Sequence, residues 1–217
     1  MIVVATPVRG TNPKNALVTL GFADFRANLV PPRFAKTAVS FEPVRARNRL
    51  AARILQDTRL EKMTHVLWLD ADQWADRPEI IQRMIDTRED LVGAPYVGKD
   101  YPIKFTHAAL PDKKREGDLL EVEGLGFGFT LTSRKCLEEM TKAARIYTDH
   151  PNPWKCADLF GLLYTGPTEG DGLLSEDLSF CARWRALGGR VMLWCGGPGH
   201  VMHSGGHEFY ATNTPGG

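Results

Sequence analysis

A strand-forming run at residues 65–69 (H-V-L-W-L) stops abruptly at two aspartates one residue apart, Asp70 and Asp72. A near-continuous apolar run of this length reads as a strand covered on both faces, with the acids where it leaves the sheet. Open α/β sheets bind ligands at the carboxyl ends of their strands. Residues one apart on an extended chain point the same way, so both carboxylates can address one divalent cation. The plain alternative is a solvated loop with two acids, and the rest of the chain has to decide between them.

The other segments fit an α/β layer structure. Residues 2–5 read as a first buried strand, followed by a loop over 6–12. A helix is expected over 15–26 and a second strand over 36–41. The clearest helix spans 43–59, with Val44, Leu50, Ala51, Ile54 and Leu55 on one face. Arg45, Arg49 and Arg53 lie opposite and read as a solvated face. Arg47 falls in the middle of the apolar face, with Asn48 on its flank. An inward charge needs a partner, which phosphate or Asp70 would provide.

Pro78 marks the start of a helix over 79–87, and residues 91–96 form another strand. Residues 99–110 and 119–122 look extended, around a charged turn at 111–117. Glycines crowd the entry to a strand over 124–132, which lets backbone approach a ligand closely; a β-bulge is the simpler reading. Ser133 and Ser175 each sit where they cap a helix. The second of these helices points Leu178, Cys181, Trp184 and Leu187 inward and opens on Glu176 and Asp177, acids that the helix dipole favours there in any case. Residues 149–171 read as a mobile loop with one helical turn, and 190–195 as a last strand. Near the end, His200, His203 and His207 fall within eight residues. No H-E-x-x-H is present, so one histidine completing a site begun by Asp72 is more economical than a zinc centre.

Bulk properties narrow the classes. With 217 residues the chain is large enough for one three-layer α/β core. A formal net charge of +1 exerts no general pull towards nucleic acid or acidic membranes. The four cysteines (Cys136, Cys156, Cys181, Cys195) are scattered, which fits reduced thiols and a cytoplasmic location rather than a disulfide scaffold. No stretch approaches the roughly 20 apolar residues needed to span a bilayer.

Taken in order, the proline loop after the first strand, the A-R-N helix start, W-L-D-A-D, G-F-G-F, S-E-D-L-S-F-C-A-R and H-S-G-G resemble nucleotide-sugar glycosyltransferases of GT-A fold. The likeness is to compact family 2-like enzymes of bacteria and phages, and W-L-D-A-D also looks like the fungal Anp1-type mannosyltransferases. It runs from Ile2 to His203. The resemblance implies a single-domain, Rossmann-like α/β fold over residues 1–207, with a mixed, mostly parallel sheet flanked by helices and a flexible tail at 208–217. It implies transfer of a sugar from a nucleoside-diphosphate sugar, UDP-sugar by family default, to an acceptor hydroxyl, with Mn2+ or Mg2+ as cofactor. Thr6, Pro7 and Arg9 match the loop that holds the base, and Arg47 and Asn48 the pair near ribose and phosphate. Asp70 matches the acid facing ribose or a metal-bound water, and Asp72 and His203 the metal ligands. Gly126 and Phe127 match the strand flanking donor sugar and acceptor. Asp177, beside Glu176, matches the general base of inverting members. Anp1-type enzymes are retaining, so the stereochemical outcome stays open, and saccharide, lipid-linked sugar, protein and modified DNA base are all compatible acceptors.

Three other classes bear on the D-x-D. A phosphatase of haloacid dehalogenase type carries it on the first strand, where this chain has no acid. A nucleotidyltransferase needs a glycine-rich basic loop after the first strand, of which residues 6–12 are a thin version. A catalytically idle nucleotide-sugar-binding module would have little use for an intact acid–histidine set.

Overall fold

The computed structural model describes residues 1–8, 35–39, 42–98, 105–150, 154–167, 171–197, 200–204 and 208–210. The expected helix over 15–26 lies outside them. Strands β1 (Ile2–Val8), β2 (Ala35–Val39) and β3 (His65–Leu69) pair in parallel, with helix α1 (Pro43–Gln56) crossing between β2 and β3. Next come β4 (Gln73–Ala75), α2 (Glu79–Asp86), β5 (Leu91–Gly93), β6 (His107–Ala109), β7 (Leu119–Leu125) and β8 (Phe129–Ser133). The remainder is α3 (Arg134–Ala143), the hairpin strands β9 (Ile146–Thr148) and β10 (Lys155–Ala157), α4 (Glu176–Ala186), β11 (Met192–Trp194), β12 (Val201–Ser204) and β13 (Glu208–Tyr210).

The main sheet has the order β2-β1-β3-β8-β5-β11-β7-β6. The pairings make β2, β1, β3, β5, β11 and β6 run one way and β8 and β7 the other. The sheet is therefore mixed, with most strands sharing a direction. Both faces are covered. Val66 and Trp68 of β3 join a core formed with α1, α3 and α4, while Leu67 and Leu69 join a second core formed with α2. Full burial of such a side chain contributes about 1.5–3 kcal/mol, which is why both faces of β3 are apolar.

Local signals account for most element ends. Ser133 Oγ accepts the Cys136 N–H at 2.9 Å and starts α3. Ser175 Oγ accepts that of Leu178 at 3.4 Å and starts α4. Helix α1 stops at Gln56 rather than 59, because the Asp57 side chain accepts the Arg59 N–H and opens a short 3-10 turn. Leu187, expected inward, is 47% exposed where α4 ends. Residues 208–210, expected as tail, pair antiparallel with β12 instead, where a strand edge offers backbone partners.

Two further expectations are corrected. The arginines of α1 are not a plain solvated face: Arg45 and Arg49 both grip Asp149, which is 2% exposed, with Arg45 Nε 2.7 Å from its Oδ1. This pair holds the Asp149 carboxyl below the usual carboxylate range against the opposing push of burial. Residues 149–171 show no helical turn among the described residues. Their start is tied to β9 by the β9–β10 hairpin, and Phe160 is buried in the core. No helix among the described residues is long and apolar enough to cross a membrane.

Candidate functional site

The strands running in the common direction deliver their carboxyl ends to one edge of the sheet. Ala5 is level with Trp68, which puts Thr6 at the height of Leu69, one residue short of Asp70; β1 runs on to Val8, where a loop was expected from residue 6. Because β8 is antiparallel, its start, with Phe129 opposite Leu69, lies at the same edge. A tight turn follows β3: the Gln73 N–H donates to Asp70 O at 3.1 Å, and the Asp70 N–H to Gly128 O at 3.0 Å.

Asp72 and His203 come together through a sheet that sequence patterning did not reveal. The short strand β4 begins right after Asp72 and pairs with β12, placing His203 opposite Gln73. His203 Nε2 then lies 3.7 Å from Asp72 Oδ2. That is too far for a hydrogen bond but close enough for both atoms to bind one ion. The ring's other nitrogen, Nδ1, is 2.9 Å from Val97 O, so it must carry the proton it donates there, leaving the Nε2 lone pair towards Asp72. Among the described residues no group of three or more His, Cys, Asp or Glu side chains is arranged as a metal centre. Asp72 and His203 are two donors that could together hold a manganese-like cation, were its other positions supplied by ligand oxygens and water. His200 is engaged by Asp76 instead, through its backbone N–H at 2.7 Å and its ring at 3.3 Å. His207 and Arg9 lie outside the described residues.

Arg47 satisfies its inward charge with three carboxylates. Nη1 is 2.8 Å from Glu176 Oε1 and 2.9 Å from Asp177 Oδ1, and Nη2 is 3.4 Å from Asp70 Oδ1. Its side chain is 4% exposed. It joins acids from the β3 turn and the start of α4, Asp70 being one of the two partners expected for its inward charge. These carboxylates raise the guanidinium's pKa against the opposing effect of burial. Asn48 is likewise a brace. Its Oδ1 accepts the N–H groups of Leu159 and Phe160, both at 3.0 Å, and its Nδ2 donates to Asp158 at 3.1 Å.

Asp177 is strongly perturbed. Burial is the main cause that pushes its carboxyl up to about 6, with Arg47 opposing and Glu176 adding to the rise. Oδ2 accepts the Phe127 N–H at 3.0 Å. Oδ1 is buried against Arg47 as an ion pair at 2.9 Å and accepts no aligned hydrogen bond. Burial also raises the pKa of Asp70, against the pull of Arg47. Three carboxylates thus surround one guanidinium, and the excess negative charge would favour a nearby cation.

The glycines at the entry to β8 make room for the protein's own side chains. A Cβ on Gly126 would stand 2.3 Å from the Tyr96 hydroxyl, and one on Gly128 would stand 2.2 Å from Gln73 Nε2. The Phe127 ring, expected to flank the donor sugar, is fully buried against Trp68, Phe160 and Phe180; only its backbone N–H serves the site. Gly126→Ala is expected to cost about 1–3 kcal/mol by overpacking, read as a lower urea midpoint. An unchanged midpoint would show that Tyr96 does not press on this turn. Within β1, Thr6 is buried with no hydrogen-bond partner for Oγ1 among the described residues, and Pro7 is half-buried beside it.

No protein-family model matches the chain, and no curated protein matches it. Among solved structures, that of A197 from STIV aligns with a TM-score of 0.60 at 17% identity, covering 94% of this chain and 85% of that one. At this identity the likeness establishes the shared α/β fold alone.

Proposed function

We propose that this protein is a metal-dependent glycosyltransferase of GT-A type, moving a sugar from a nucleoside-diphosphate sugar to an acceptor hydroxyl. The observation that carries the reading is the approach of His203 Nε2 to Asp72 Oδ2, with the proton held on the far side of the ring. Asp72 and His203 would hold Mn2+ or Mg2+, with Asp70 beside them. When bound, the ion would neutralise charge growing on the departing diphosphate. Thr6 and Pro7 lie in the last residues of β1, on the side where the nucleotide would enter.

An acceptor hydroxyl is a weak nucleophile until its proton is taken. Asp177 has a carboxyl that burial lifts to about 6, which would suit it to accept that proton. Arg47 pairs with Asp177 and favours its ionised form, against the opposing charge of Glu176.

Binding tests the metal half directly. In calorimetry with Mn2+, Asp72→Ala and His203→Ala are each expected to weaken binding at least about tenfold, as loss of one ligand from a two-donor site requires. Wild-type affinity in both variants would remove the metal assignment. Release of nucleotide from UDP- and GDP-sugars with Mn2+ then identifies the donor class.

A further inference from the structure

We propose that Tyr96 is a positioning residue that sets the metal-binding half of the site against the half bearing the base, a role that rests on the glycosyl-transfer reading only for its catalytic consequence. Tyr96 is 5% exposed and lies just beyond β5, between the two halves. On one side its ring meets His203 edge-to-face, with centroids 5.8 Å apart and planes at 90°. The next residue, Val97, accepts the His203 Nδ1 proton. Residues 96 and 97 therefore hold the imidazole both by its ring and by one nitrogen, which leaves Nε2 a single direction to face.

On its other side the Tyr96 hydroxyl accepts the Gly128 N–H at 3.0 Å. That turn serves both sets of acids: the Phe127 N–H reaches Asp177 Oδ2, and Gly128 O accepts the Asp70 N–H. A movement of Gly128 would shift Asp70 and Asp177 together, while a movement of the Tyr96 ring would release His203. Gly126 lets the hydroxyl settle this close to the backbone. One buried phenol thus ties the imidazole to the backbone that carries both carboxylates. Second-shell contacts of this kind fix the tautomer and orientation of a ligating histidine.

Two variants separate these contacts. Tyr96→Phe keeps the ring and removes the oxygen; Tyr96→Leu removes the ring as well. The readouts are the His203 tautomer by nitrogen-15 NMR, amide exchange at Gly128, and calorimetry with Mn2+ alone. Tyr96→Phe should keep the Nδ1-protonated tautomer yet speed Gly128 exchange about tenfold, the equivalent of one lost hydrogen bond, while amides within β3 keep their protection. Tyr96→Leu should mix the tautomers and weaken Mn2+ binding about 10- to 100-fold. Unchanged Gly128 exchange in Tyr96→Phe would overturn the proposal, even if Tyr96→Leu failed to fold. An unchanged tautomer in a folded Tyr96→Leu would overturn it too. If the wild-type protein bound no Mn2+ while the tautomer and exchange still responded, the positioning role would stand and the metal reading would fall.

Discussion

Replacing Asp177 by asparagine is expected to lower turnover about 10²- to 10⁴-fold, the usual contribution of a positioned general base. The substitution preserves shape and can still accept the Phe127 N–H, so the loss would fall on chemistry rather than folding. The pH profile makes the test specific. Burial lifts the Asp177 carboxyl from an ordinary 3.8 to about 6. Only the ionised form accepts a proton, so kcat/KM of the wild type should rise with pH through an acid limb near 6. That limb should vanish in Asp177→Asn. Stability runs the other way: a carboxyl whose pKa is raised on folding favours the folded state below its unfolded value, and that contribution is lost as pH rises through about 6. Activity within a few-fold of wild type, or an unchanged limb in the variant, would remove Asp177 from the role.

Arg47→Met should be the most destabilising substitution in the site. Removing one partner of a buried ionic cluster costs about 3–5 kcal/mol, because the remaining charges lose their compensation. Here the carboxylates keep between a fifth and a third of their side-chain exposure, so solvent screens them and the lower end applies, about 3 kcal/mol. For a chain of this size that lowers Tm by about 6–12 °C. The loss should be largest at neutral pH and shrink on acidification, as protonation of Asp70 and Asp177, both raised by burial, removes their repulsion. Arg47→Lys should restore little, since a single ammonium lacks the planar fork that reaches three carboxylates. Thermal melts at pH 7 and pH 5 check both statements; a loss of equal size at both would show that packing, not charge, explains it.

Where a residue's role depended on its own neighbourhood, the sequence was a reliable guide. Ser133 and Ser175 cap the helices expected of them because a cap needs only the next three residues. Val66 to Leu69 are buried on both faces because an apolar run without alternation has no polar face to present. Arg47 was legible as an inward charge from its place on the helix. Asp70 was foreseen as a partner; Glu176 and Asp177 were not, since they lie some 130 residues further on and meet it only once α4 packs against β7. Asn48 and Phe127 show the converse. Each sits where a motif points to ligand, but one fastens residues 158–160 to α1 and the other fills the aromatic core.

By itself the sequence determined that a buried strand ends in two acids, that a charge points into the core of α1, and that a helix opens on Glu176 and Asp177. All three follow from periodicity and capping, which act over a few residues. Only the tertiary structure decided that His203 meets Asp72. That meeting depends on β4 pairing with β12, two strands of three and four residues whose register is set by backbone hydrogen bonds between segments more than 120 residues apart. Such pairing leaves almost no local pattern, because strands that short show too few residues to alternate.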